Sequence, residues 1–399
     1  IANTSPIALE NQLPGNPASE WNVIGRGDLT IVGFATDMSV NRCSTQYFKV
    51  NTDAPAFHID IYRMGYYQGN GARKVATVPG TPSSQPDCIT DPLTGLIDCG
   101  NWSVSAAWNV PANAVSGMYF AKVTREDTQG ASHIPFVVRD DSSTSDLLVQ
   151  TSDPTWQAYN DYGGSSLYLG NAPFPGGHAA KVSYNRPFTN HGTNNSDNWF
   201  MAEYPMTRFL ESNGYDVSYM CGIDTDRHGD LITRHRAFVE VGHDEYWSGG
   251  QRANVTAARD AGTHLAFFSG NEVYWKTRYE PSIDGSNTPF RTLVCYKEGT
   301  LGERACGGRC DPDPGVWTGL WRDGCGSSYP ANDGCRPENE LTGTLSWTGS
   351  SGVIEVPSAY RSMRVWRNTS IAALQPGQTV SLGLWTLGFE WDPEQPSDA

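Results

Sequence analysis

A chain of 399 residues with a formal net charge of -15 is long enough for two domains and a sizeable core. Its acidic balance disfavours nucleic acid and anionic membrane surfaces, both of which need clustered Lys and Arg. No apolar run approaches a membrane span, so a soluble protein is expected.

Residues 1–141 read as an all-β, immunoglobulin-like sandwich. The segments Leu29 to Phe34, Tyr47 to Val50, Phe57 to Tyr62, Met118 to Val123 and His133 to Val138 alternate or are β-branched and aromatic, with turn residues between them. Cys88 and Cys99 bracket a Pro/Asp/Gly-rich turn and are expected to pair. Asp140 to Ser145 is a polar linker. From there to residue 399 the rhythm becomes strand, helix, strand, which predicts an α/β domain with a parallel sheet. Leu147 to Gln150 is its first strand. Met206, Phe209 and Leu210 mark a helix stopped by Asn213-Gly214, and Tyr215 to Tyr219 is strand again.

Ala237, Phe238, Val239 and Val241 then form a short apolar strand that runs into Gly242-His243-Asp244-Glu245-Tyr246-Trp247, with Ser248 placed to cap a helix from Gly249 to Ala261. Ligands of open α/β sheets sit beyond the carboxyl ends of strands. An extended backbone past Gly242 puts His243 and Glu245 on one side and Asp244 on the other, bringing an imidazole and a carboxylate together for metal binding or proton transfer. The competing reading makes His243 a cap of the sheet and pairs Glu245 with Arg252. Asn271, after the strand Leu265 to Phe268, shares this edge and is equally a substrate contact or a turn former. Tyr159 lies there too, as a ligand, an acid or a packing ring. Lys297 and Glu390 are ionisable groups in apolar settings, a pattern shared by functional sites and by core ion pairs. His228 and His235 occupy polar stretches expected to be exposed.

Nine cysteines, several at short spacings in loop-like segments, point to an oxidising compartment, and the start at Ile1 without Met resembles a chain after signal-peptide removal. Secretion is therefore expected. Cys306, Cys310, Cys325 and Cys335 fall in a loop over residues 298–340 with few apolar residues, where two disulfides are expected; uneven spacing argues against a zinc site. Cys43, Cys221 and Cys295 leave an odd thiol.

Gly242 to Trp247, with Trp156-Gln157-Ala158-Tyr159-Asn160, Phe268-Ser269-Gly270-Asn271 and Gly388-Phe389-Glu390-Trp391, resembles the C-terminal region of the large subunit of N,N-dimethylformamidase and its secreted relatives, over roughly residues 110–395. The resemblance implies a glutamine-amidotransferase-like α/β domain and an amidohydrolase whose mononuclear iron is held by two tyrosines and a glutamate. Carried over, Glu245, Tyr159 and Tyr119 are the ligands of Fe(III), His243 is base or water-orienting group, and Asn271, Lys297 and Glu390 line the pocket. Two phenolates and a carboxylate balance Fe(III), which would act as Lewis acid on an amide carbonyl.

The leading expectation is thus a secreted iron hydrolase of a small-molecule amide. Thirteen Trp and eighteen Tyr beside 28 Lys plus Arg motivate the alternatives, a carbohydrate-active enzyme with a glycan substrate or a non-catalytic carbohydrate-binding module. Oligomeric state is not legible.

Overall fold

The alternating apolar residues of the first third of the chain build two facing sheets. The computed structural model describes residues 5–188, 199–298, 310–323, 334–345, 348–349, 352–383, 386 and 390–391. After a short helix α1 (Pro6–Glu10), the strands are β1 (Ile31–Ala35), β2 (Ser39–Asn41), β3 (Thr45–Thr52), β4 (Phe57–Met64), β5 (Ala72–Pro79), β6 (Ala106–Asn109), β7 (Gly117–Arg125) and β8 (Ala131–Arg139). One sheet has the order β1-β3-β6 and the other β2-β8-β7-β4-β5. Phe48 and Val50 of the first meet Ile59, Ile61, Ala121 and Phe136 of the second in a shared core.

The opposite face of the larger sheet is covered as well. Met118 and Phe120 join a second core with Val149, Trp156 and Val239 of the following α/β part. Coverage on both faces explains why β7 and β8 are buried almost without interruption.

The α/β part begins with β9 (Leu147–Thr151) and α2 (Asp153–Tyr159), followed by β10 (Lys181–Ser183), α3 (Glu203–Ser212), β11 (Val217–Cys221), α4 (Gly222–Arg227) and β12 (Ala237–Gly242). β13 (Tyr246–Ser248), α5 (Gly249–Asp260), β14 (His264–Ser269), β15 (Trp275–Glu280) and β16 (Thr292–Val294) follow, and the short strand Gly319–Leu320 pairs antiparallel with β15. A four-stranded parallel sheet has the order β11-β9-β12-β14, and a second sheet runs β10-β16-β15-β13. The fold is therefore mixed α/β, with parallel and antiparallel sheets. Ser248 caps α5 as its position predicts: its hydroxyl accepts from Gln251 N at 3.1 Å while Gln251 accepts from Ser248 N at 3.0 Å.

By contacts the chain forms two compact units, residues 1–337 and 338–399. The strands ending at Arg139 and the parallel sheet beginning at Leu147 both belong to the first. In the second, Glu355–Pro357 pairs antiparallel with Thr379–Ser381, and Val356 and Ile371 are buried. Cys88 and Cys99 are bonded. Cys310 and Cys335 are each in a disulfide, Cys306 and Cys325 lie outside the described residues, and Cys43, Cys221 and Cys295 are free.

α3 forms where the sequence marks a helix, but its buried side is not its apolar one. Phe209 is 55% exposed, and the helix buries Glu203, Thr207, Leu210 and Glu211 instead. Glu211 is there because Arg63 needs it: two guanidinium nitrogens lie 2.7 and 3.0 Å from its two carboxylate oxygens, with both side chains wholly out of water. Tyr219 and Asn11 also donate to it, at 3.0 and 2.7 Å. The pair joins β4, α1, α3 and β11. Replacing Glu211 by Ala would strand a buried guanidinium, and we expect a loss of roughly 3–5 kcal/mol in urea unfolding. A change under about 1 kcal/mol, the scale of an exposed pair, would contradict this account.

Candidate active site

β12 ends at Gly242 in the middle of the parallel sheet, at the edge where ligands bind in such folds. Gly242 has φ 105°, and a Cβ there would lie 2.8 Å from Ser152 Oγ and 2.9 Å from Glu203 Oε1. Only glycine fits both the conformation and the space. Beyond it, Asp244 N donates to Ser269 Oγ at 3.0 Å and Glu245 N to Thr155 Oγ1 at 3.0 Å, tying the segment to its neighbours on either side.

Glu245 is 4% exposed, and its carboxylate gathers three donors. Tyr159 Oη donates to Oε2 at 3.2 Å, Tyr168 Oη to Oε1 at 2.5 Å and Trp275 Nε1 to Oε1 at 3.1 Å. His243 Nε2 lies 3.6 Å from Oε2. The effective cost of burying a carboxylate is several kcal/mol, and hydrogen bonds to a charged group return about 1.5–3 kcal/mol each, so three donors are the number that offsets it.

Tyr159 arrives on the last turn of α2. Tyr168 comes from the loop that follows, where Gly163 and Gly164 take φ 82° and 101° and reverse the chain. Leu167 N then bonds to Ala158 O at 2.8 Å, pinning the loop against α2, and the two tyrosine rings stack 4.3 Å apart. Tyr168 was not anticipated. The Gly163-Gly164 reversal, four and five residues after Tyr159, is the signal that could have found it.

Tyr119, expected as the second phenolate, is elsewhere. Alternation along β7 sends Met118 and Phe120 toward the α/β part and turns Tyr119 into the core between the two β-sheets, beside Trp108 and Phe136. Its hydroxyl donates to Val115 O at 2.7 Å, and burial pushes its pKa well up. Period-2 geometry denies it to the site.

Lys297, in the left-handed region at φ 54°, sets its Nζ 3.3 Å from the Tyr168 ring centroid and 4.9 Å from that of Trp275. Asn271, also left-handed at φ 55°, forms the turn after β14. Arg252 gives its guanidinium to the carbonyls of Arg336 and Pro337 and lies 4.6 Å from the Trp321 ring, so it is not the partner of Glu245. The backbone of Glu390 pairs with Gly349 in the second unit; its side chain lies outside the described residues. His235 is buried rather than exposed, with Nδ1 2.8 Å from Ser145 O.

Beneath the edge lies a set of buried acids. Burial pushes the Glu203 carboxyl up to about 7 and Asp153 to about 6, and raises Glu240 and Asp244 strongly, their mutual proximity to other carboxyls adding to the effect. Glu203 Oε1 accepts from Ser152 N at 3.1 Å and Trp156 Nε1 at 3.0 Å, and so holds the start of α2. Tyr168 is likewise raised, by burial first and then by Glu245. A carboxyl raised above its unfolded value stabilises the fold below that value, and the benefit is lost as pH climbs through the folded one. Thermal stability should therefore fall between pH 5 and pH 8, with Glu203→Gln flattening the decline. Parallel melting curves for the two proteins would contradict the assignment.

A buried carboxylate and two converging phenols thus meet at the carboxyl edge of the parallel sheet, a site built from oxygen donors. The chain belongs to the family described as N,N-dimethylformamidase beta subunit-like, C-terminal, whose model matches residues 58–398. That match begins well before the resemblance near residue 110. No curated protein matches. Among solved structures, an uncharacterized protein from Bacillus anthracis str. Ames aligns at 9% identity and TM-score 0.17, over 26% of this chain and 82% of that one. Domain 1 of VCBP3 from Branchiostoma floridae aligns at 10% identity and TM-score 0.18, over 29% and 98%. Trypsin-activated alpha-2-macroglobulin from Escherichia coli aligns at 16% and 0.18, over 32% and 8%. At these TM-scores the likenesses carry no argument.

Proposed function

We propose that this chain is an exported, iron-dependent hydrolase of an amide-type C–N bond, with Fe(III) held by Tyr159, Tyr168 and Glu245. The observation that carries the reading is the approach of two phenol oxygens to the two oxygens of one buried carboxylate. Deprotonated, these groups present three negative charges on hard oxygens, a donor set that suits a trivalent iron better than a soft ion. Bound there, the metal supplies Lewis-acid chemistry toward a carbonyl. Membership of a dimethylformamidase-like family supports hydrolysis and a small-molecule amide as substrate.

The protein's own groups do the rest. The His243 side chain is 22% exposed and its Nε2 sits 3.6 Å from Glu245, so it can reach solvent while held near the site. It takes a proton from the attacking water and returns it to the departing nitrogen. The Lys297 ammonium against the Tyr168 ring offsets the charge of a phenolate there. Asn271 is read as a pocket group that holds the amide. The disulfide-bonded Cys88, Cys99, Cys310 and Cys335 support export. Two β-sheets facing across one core, ahead of a parallel sheet flanked by helices, support an immunoglobulin-like part followed by a glutamine-amidotransferase-like one.

The test is iron content, visible absorption and amide turnover in native protein and four variants. Tyr168→Phe and Glu245→Ala should lose colour and bind iron more than about 100-fold less tightly, beyond the range of outer-shell changes. Tyr119→Phe should keep both, and His243→Ala should keep the iron while losing turnover. A colourless native protein without iron, or loss of metal in Tyr119→Phe with Tyr168→Phe unaffected, would refute the proposal.

A further inference from the structure

Of the three donors on Glu245, one differs in kind. The Tyr159 and Tyr168 hydroxyls give up their protons on becoming metal ligands and can then no longer donate to the carboxylate. The indole N–H of Trp275 keeps its proton at any working pH, because indole is a donor only. When the site is loaded, as the proposed function requires, Trp275 is the donor among these three that Glu245 retains.

We infer that Trp275 is a positioning residue: its N–H fixes Oε1 of Glu245 and leaves Oε2 turned toward Tyr159 and His243. The surrounding backbone supports this role. β13 and β15 run parallel with Tyr246 opposite Trp275, and Trp275 N donates to Glu245 O at 2.7 Å, so one residue grips the glutamate by both main chain and side chain. Val273 N donates to Asp244 O at 3.1 Å just ahead of it.

The turn that delivers Trp275 is also strained. Val273 is wholly buried with φ 57°, a conformation that β-branched residues almost never take, and it follows left-handed Asn271. Such strain persists only where its surroundings over-determine it, and here it sets the register that brings the indole under Glu245. The Trp275 ring is 2% exposed and flanked by Lys297 and by Tyr274, whose ring is 5.0 Å away at a near-right angle. It has little freedom to leave. A ligand carboxylate oxygen buried at this depth needs a fixed donor, and outer-shell donors of this sort commonly set ligand orientation and metal affinity.

The test uses two replacements in the full chain. Trp275→Phe removes the N–H and part of the ring; incorporation of benzothienylalanine at 275 removes only the N–H and keeps the shape, so that folding is preserved. In metal-free protein reloaded with Fe(III), both should bind iron roughly 10- to 100-fold more weakly. The phenolate-to-iron absorption maximum should shift, and kcat should fall more than KM rises. A purely structural role would leave that maximum in place. Native affinity and an unmoved maximum in the benzothienylalanine protein would overturn the inference. A further readout is independent of iron: in metal-free protein labelled with 15N-tryptophan, the indole signal that disappears in Trp275→Phe should move on Glu245→Gln. Its failure to move would also overturn the inference, whereas a native protein that takes up no iron overturns only the proposed function.

Discussion

A carboxylate taken out of water at the end of a parallel strand has to be compensated from every side, and the site is arranged around that requirement at Glu245. Its main-chain N–H goes to Thr155 of α2, and its carboxylate takes Tyr159 from the same helix, Tyr168 from the loop beyond it and Trp275 from β15. Each of these elements is held in turn. Glu203 secures the start of α2, Leu167 secures the loop, and a parallel pairing secures β15. Loss of any one would leave the buried Glu245 carboxylate short of a donor.

Much of this was legible locally. The apolar and aromatic runs of β7 and β8, the apolar run of β12, the Ser248 cap and the turn-bracketing Cys88 and Cys99 depend on neighbours a few residues apart. The edge containing His243 and Glu245 followed from a strand ending at glycine. Relationships across the fold were another matter. Tyr119 lies in a strand whose two faces are both buried, and nothing in Gly117 to Val123 says which face meets which core. Tyr168 lies in a polar-looking loop, and its role depends on the chain doubling back at Gly163 and Gly164.

α3 shows the same limit from the other side. The spacing of Met206, Phe209 and Leu210 marked the helix, yet Phe209 faces solvent and Glu203 and Glu211 are buried. The helix is turned by two acids that answer distant needs, the Arg63 guanidinium and the start of α2. Both acids are paired with groups far away in the sequence, and pairing over such distances has no periodic signature. Asp153, Glu240 and Asp244 answer burial differently, because burial and neighbouring acids favour the protonated form there.

The central claim is that one ion sits between Tyr159, Tyr168 and Glu245. Anomalous diffraction from crystals of the native protein, recorded on either side of the iron absorption edge, locates such an ion without reference to activity. The account predicts a single strong peak within bonding distance of the two phenol oxygens and the Glu245 carboxylate, with the Trp275 indole still on the carboxylate. A peak at Tyr119, or on the cysteine-rich segment with none at Glu245, would contradict it.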